Sequence, residues 1–209
     1  MGQYYKLVVL NTSKKNAKNA EKVKAFMRSW DFNQGAKLME FSWIDNDFLC
    51  YFESLINKEN GLFAGHPILV AGDYADEEPN TYKKERVNIY QLCEESGDII
   101  LPQWLIHKNV ECKHYRYLIN EDKKVFIDTN RMRRCGTTEW EGKKYVWQVN
   151  PLPILCNDGC IGGEARGGGD YSHKHREVGA WRRNVVVTSD NRPNEKKYRE
   201  VFYDFCDKI

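Results

Sequence analysis

The sequence predicts an α+β fold in a single domain over residues 1–209, built on a mixed or antiparallel sheet with hairpins and about three to four helices. Three observations predict it. Stretches of helical and strand periodicity are interleaved without a regular β-α-β rhythm, and a hairpin pattern falls in the middle of the chain. No repeat or low-complexity linker divides a length that suffices for one sizeable core.

Tyr4–Leu10 is apolar and β-rich and predicts the first strand, after which Asn11–Lys18 is polar and turn-like. Val23, Phe26, Met27 and Trp30 then recur at i, i+3, i+4 and i+7, the pattern of one buried helix face. Asp47 is placed to cap a second helix that carries Phe48, Tyr51, Phe52 and Leu55 at the same spacing. Beyond the loop Lys58–His66, the apolar run Pro67–Ala71 predicts a buried strand that delivers Gly72-Asp73-Tyr74-Ala75-Asp76 at its end. Glu77–Arg86 is charged, contains Pro79-Asn80, and predicts an exposed loop, followed by a short helix or helical turn over Val87–Cys93. Tyr115–Ile119 and Val125–Asp128, joined by Asn120–Lys124, predict a β-hairpin, and Tyr145–Val149 another strand. Pro151 and Pro153 bracket a turn into a glycine-rich loop, and Val185–Thr188 predicts a short strand. Pro193 suits the first turn of a final helix with Tyr198, Val201, Phe202 and Phe205 on one face.

Composition narrows the function classes. With 41% hydrophobic, 13% aromatic and 30% charged residues, the chain is an ordinary globular mixture, which argues against disorder over most of its length. Thirty-two Lys+Arg against thirty Asp+Glu leave a net charge of +2, not the basic balance of a dedicated nucleic-acid binder. Seven cysteines without a framework of repeated spacings, and an N-terminal stretch without the build of an export signal, predict a reducing, cytoplasmic setting. Gly2 is not followed by Ser or Thr at position 6, which is Lys6, so the myristoylation pattern is broken. No apolar run approaches the roughly 20 residues of a membrane helix, and no membrane partner is expected.

The densest signal is Asn157–Tyr171, where six of the fifteen glycines fall between Gly159 and Gly169. Glycine loses more backbone entropy on folding than any other residue, so such a cluster implies positive φ angles or close backbone approach. Gly167-Gly168-Gly169-Asp170-Tyr171 can form a nest of N–H groups for phosphate or carboxylate, with Asp170 on a ribose hydroxyl or a metal; it also fits a packed turn. It lacks the Gly-Lys-Ser/Thr of a P-loop. Gly72–Asp76 at a strand end offers Asp73 and Asp76 as acid/base or cation-binding carboxylates, with Asp170 as a third; ordinary turn chemistry accounts for the pair as well. Cys156, Cys160, His173 and His175 have the ligand types for zinc but not its usual spacing, and no metal is assigned to them. Arg131, Arg133 and Arg134 read as a solvated loop or, with Arg182 and Arg183, as an anion grip, and Cys135 is the thiol with the most basic surroundings. Ser42 is not in a nucleophile elbow. Trp30, Trp43, Trp147 and Trp181 sit in apolar or periodic contexts and read as core, with Trp43 and Trp181 also able to stack on a ring.

Seven pieces in order resemble a family of uncharacterised bacterial and phage proteins: MGQYYK at the start, KLMEFSW (Lys37–Trp43), VAGDYADE (Val70–Glu77), YLINEDKKVFID (Tyr117–Asp128), PLPIL (Pro151–Leu155), GGGDY (Gly167–Tyr171) and VGAW (Val178–Trp181). Phe41 stands where the family has a histidine, and the glycine loop is longer, with Cys160 and Glu164. The resemblance implies one domain with a shared site and no particular activity. The expectation is a polar cleft with Asp73, Asp76 and Asp170 as catalytic carboxylates. Gly72, Tyr74, Gly167, Gly168, Gly169 and Tyr171 form its walls, with Glu40, Trp43 and Trp181 close by. Its ligand would be a small phosphorylated molecule, a nucleotide or nucleotide-sugar, with hydrolysis or transfer as the chemistry these residues permit. The rival is a non-catalytic interaction or regulatory module, of phage or mobile-element origin, whose aromatic surface meets a protein partner. The sequence names no cofactor.

Overall fold

A computed structural model gives the fold over residues 3–11, 23–75, 78–80, 85–95, 101–140, 142–158 and 177–206. At its centre β1 (Tyr5–Leu10) lies between β2 (Val23–Arg28) and β3 (Ile68–Gly72) in an antiparallel sheet, with Leu7 opposite Met27 on one side and Val70 on the other. β1 is buried at every position, Lys6 included, because both faces of the sheet are covered. Leu7, Val9, Met27 and Val70 enter the main core with Phe48 and Phe52 of α2 (Asp47–Leu55) and Ile154 of α5 (Pro151–Leu155). Val8, Leu10, Phe26 and Leu69 face the other way, onto Ile89, Leu92 and Cys93 of α3 (Ile89–Glu95).

A second sheet has the order β10-β6-β7-β11, from β6 (Tyr117–Asn120), β7 (Val125–Asp128), β10 (Val186–Ser189) and β11 (Arg199–Glu200). Leu118, Ile127 and Val186 join the main core, while Tyr117, Ile119, Phe126 and Val187 form a separate outer cluster, the alternation a pleated strand imposes. The free edge of β3 is closed by two returning segments. Val70 N donates to Cys156 O and Asp158 N to Val70 O, both at 2.9 Å, while Arg183 N donates to Ile68 O, also at 2.9 Å. Two further antiparallel pairs are β4 (Glu78–Asn80) with β5 (Glu85–Val87), and β8 (Gly136–Trp140) with β9 (Lys143–Trp147). With α1 (Leu38–Phe41) and α4 (Gln103–Asn109), the described residues hold five α-helices beside these sheets, an α+β fold.

Five expectations are corrected. The helix expected from Val23 to Trp30 is strand β2 followed by a 3-10 turn at Ser29–Phe32. Its apolar residues face both sides of the sheet, and a bulge opposite Val9 and Leu10 shifts Val23 to the α3 side while Ala25 stays in the main core. The final helix is extended chain: Arg199 and Glu200 pair parallel with Val125 and Phe126, Val201 N donates to Phe126 O at 2.8 Å, and a Cys135–Cys206 disulfide ties down the end. Pro151–Leu155, expected as a turn, is a helix capped by Asn150, whose side chain accepts from Leu152 N. The loop expected over Glu77–Arg86 carries the β4–β5 pair at its ends. The helix expected at Asp47 is present, but its cap is the preceding Asn46, which accepts from Leu49 N.

Candidate functional site

The expected site residues divide among three places. Gly72 and Asp73 leave β3 in a turn pinned from below. Asp73 accepts from Tyr4 N at 3.0 Å, and Asn88 Nδ2 reaches the carbonyls of Asp73 (3.1 Å) and Ala75 (2.9 Å). Asp73 thus has a turn-forming role, Tyr74 beside it is partly exposed, and Asn88 is a residue the sequence reading did not single out. Trp181 is in the core, 1% exposed, packed edge-on against Tyr203 at 6.2 Å, which removes it as a stacking platform for a ligand. Asp76, Asp170, Gly167, Gly168, Gly169 and Tyr171 lie outside the described residues, as do Cys160, His173 and His175. Cys156, fourth of the possible zinc ligands, is a fully buried core thiol whose pKa burial pushes far up.

Glu40 and Trp43 lie on a cleft of about 660 Å3, which the GDY turn does not line. One wall is the stretch from α1 to α2, with Glu40, Trp43, Asp45 and Asp47; the other is β9, with Lys144, Val146 and Trp147. The walls meet because the chain beyond β9 stays extended and pairs with the α1–α2 connection. Ile44 N donates to Gln148 O at 2.9 Å, and Asn150 N to Ser42 O at 3.0 Å. That pairing sets the indoles of Trp43 and Trp147 at 4.8 Å with an interplanar angle of 64°.

Each wall is held from behind. Glu40 Oε2 accepts from Lys37 N at 3.0 Å, closing a capping box on α1, and its side chain lies where a Cβ on Gly35 would sit 2.2 Å from Oε2. Only glycine leaves that room. Asn46 Nδ2 donates to Gln34 Oε1 at 2.9 Å, and Asp45 adopts a left-handed conformation (φ 65°) that Asp tolerates. Among the described residues, neither Asp45 nor Lys144 has a hydrogen-bond or ion-pair partner. Phe41, by contrast, is fully buried and edge-on to Phe48 at 5.4 Å, so it faces the core and not the cleft.

A second polar cluster has an acid–His–hydroxyl order but the wrong proton direction for nucleophilic catalysis. Buried Glu53 takes His114 Nδ1 at 2.7 Å and Tyr115 N at 3.0 Å on Oε2, and Asn150 Nδ2 at 2.6 Å on Oε1. His114 Nε2 lies 3.3 Å from Thr129 Oγ1, whose own proton goes to Arg116 O at 2.9 Å. The hydroxyl can therefore accept from the ring but has no proton to give it, which suits a doubly protonated His114. Burial alone would lower the His114 pKa; the charge and hydrogen bond of Glu53 more than reverse this and raise it. Thr129 is also 1% exposed, so this is a structural ion pair tying α2 to β6, β7 and α5.

Two of the three arginines in the run are paired locally, Arg131 with Glu200 and Arg133 with Asp204 at 3.2 Å. Arg182 and Arg183 instead pair with Asp158, at 3.3 and 3.6 Å, so the two groups form no common anion grip. Cys135, singled out for its basic surroundings, is in the disulfide with Cys206. No helix among the described residues is long and apolar enough to cross a membrane. No protein-family model, curated protein or solved structure matches the chain.

Proposed function

We propose that this protein binds a small polar ligand in the cleft between the α1–α2 connection and β9. The observation that carries the reading is the concave meeting of a tryptophan pair with Asp45 and Lys144, two charged groups that make no internal bond. A thermal-shift screen of the purified protein against small polar metabolites tests it. Ligands that raise Tm should lose that effect in Trp147→Ala. Stabilising ligands indifferent to that substitution would move the site elsewhere.

A second reading keeps the phosphorylated ligand at the glycine-rich loop, with Asp73, Asp76 and Asp170 as groups for hydrolysis or transfer. It is supported by the parallel bridge between Val70 and Asn157, which starts the loop beside the strand that ends in Gly72 and Asp73. The loop's far base is held by Gly179 at φ 74°, where a Cβ would lie 2.7 Å from Asn157 O. Asp170→Ala should then abolish binding of a nucleotide with Tm unchanged; lost stability with binding intact would make the motif architectural. We also propose a cytoplasmic setting, against which the Cys135–Cys206 disulfide stands; alkylation followed by intact mass decides between them, since both cysteines alkylated without reductant would support that setting and both protected would overturn it.

A further inference from the structure

Resting on the cleft reading above, we propose that its ligand is an organic cation, an alkylammonium or guanidinium group, seated against Trp43 and Trp147 and balanced by Asp45. Three observations lead there. Of the carboxylates on the cleft, Glu40 is paired with Lys37, which leaves Asp45 and Asp47 against the single ammonium of Lys144, a balance that favours positive charge over phosphate. Both indole N–H groups are already spent inside the protein, Trp43 Nε1 on Met39 O at 2.9 Å and Trp147 Nε1 on Thr138 Oγ1 at 2.7 Å. The rings therefore offer a ligand no donor, only π surface, whose negative face attracts cations. Their planes, inclined by 64° with centroids 4.8 Å apart, meet edge to face on the cleft wall.

The carboxylates differ in readiness. Glu40 is engaged by Lys37, and Asp47 lies 3.7 Å from the Cys112 thiol, whereas Asp45 has no hydrogen-bond or ion-pair partner among the described residues. Asp45 is thus the counter-charge a ligand can claim without breaking an existing bond. Lys144 bounds the cation's seat by repulsion and leaves a place for a ligand's hydroxyl or carbonyl oxygen.

The test follows tryptophan fluorescence of the full chain during titration with choline, its neutral carbon isostere 3,3-dimethylbutanol, agmatine, N-acetylarginine amide, maltose and AMP. The expected result is saturable binding of choline, agmatine or N-acetylarginine amide, weakened by salt and at least about fivefold tighter for choline than for its isostere. Asp45→Asn, which tolerates the same left-handed backbone, should weaken the cations, and Lys144→Glu should strengthen them. Agmatine ahead of N-acetylarginine amide identifies a free amine as the source, and the reverse order an arginine side chain of a partner protein. Tighter binding of maltose or AMP, lost in Trp147→Ala, would overturn the cation assignment and leave the cleft as the site. Binding of none of these probes would also overturn it, while the metabolite screen decides separately whether the cleft binds anything.

Discussion

Two polar clusters sit within one stretch of the chain and are built in opposite ways. At Glu53 every oxygen of a buried carboxylate is taken, by His114, Tyr115 N and Asn150, and the Thr129 hydroxyl completes the chain of bonds. At Asp45, eight residues earlier in sequence, an exposed carboxylate faces a cleft with no hydrogen-bond or ion-pair partner among the described residues. A buried charge must be satisfied internally or it destabilises the fold, whereas a charge left open at a concave surface is available to something outside. The first cluster serves stability, although it has the outward look of a catalytic array; for the second, recognition is the role we propose.

The largest effect should come from breaking the satisfied cluster. Glu53→Ala leaves a charged imidazole, an amide and a backbone N–H buried without an acceptor, and urea unfolding should show a loss of about 3–5 kcal/mol. If the loss were under about 1 kcal/mol, water would be reaching the pair and the contrast would fail. Next comes the disulfide, which closes 71 residues between Cys135 and Cys206 and sits beside Trp147, since Cys135 N donates to Trp147 O at 2.7 Å. Reduction should lower stability by about 2–4 kcal/mol. It should also shift tryptophan emission, because the bond holds the β9 wall of the cleft; an unchanged spectrum would detach it from the site.

A subtler effect is the pH dependence of the ion pair. His114 holds its proton more tightly folded than unfolded, so its stabilisation is complete below the unfolded value of about 6.5 and is lost as pH rises through the raised folded value. Unfolding free energy should therefore fall over that alkaline-going range, and His114→Gln should remove that part of the slope. Asp128 acts in the opposite sense: burial would raise its pKa, Arg116 overrides this and lowers it, and its contribution disappears as the solution is acidified. The smallest stability change belongs to Asp45→Asn, within about 0.5 kcal/mol, since no internal bond is lost. A cost of more than about 2 kcal/mol there would make Asp45 a structural residue after all.

Periodicity located the elements whose burial is simple and misjudged those whose burial is not. The Tyr117–Asp128 hairpin, β3 and α2 bury one pattern against one neighbour, or everything on all sides, and they stand close to where the sequence predicts them. At β2, apolar residues on both faces and a bulge imitate helical spacing. At the C-terminus, Val201, Tyr203 and Phe205 satisfy a two-residue period as well as Tyr198, Val201, Phe202 and Phe205 satisfy the helical one, and pairing with β7 decides between them. For the candidate site, Glu40 and Trp43 were singled out only through the expected resemblance. Asp45, Lys144 and Trp147 were not, because nothing local marks them: they meet only when residues near position 45 pair with residues near 148, about a hundred positions away.

By itself the sequence determined the α+β class, the apolar runs that had to be buried, and a nearly balanced charge of +2. Only the tertiary structure decided that Trp181 serves the core and Trp43 the cleft, that one acid–histidine pair is sealed while another carboxylate is left open, and that Cys135 meets Cys206. The reason is physical. Burial preference and backbone propensity are properties of a residue and its near neighbours, whereas satisfaction of a polar group depends on which distant segment is folded against it.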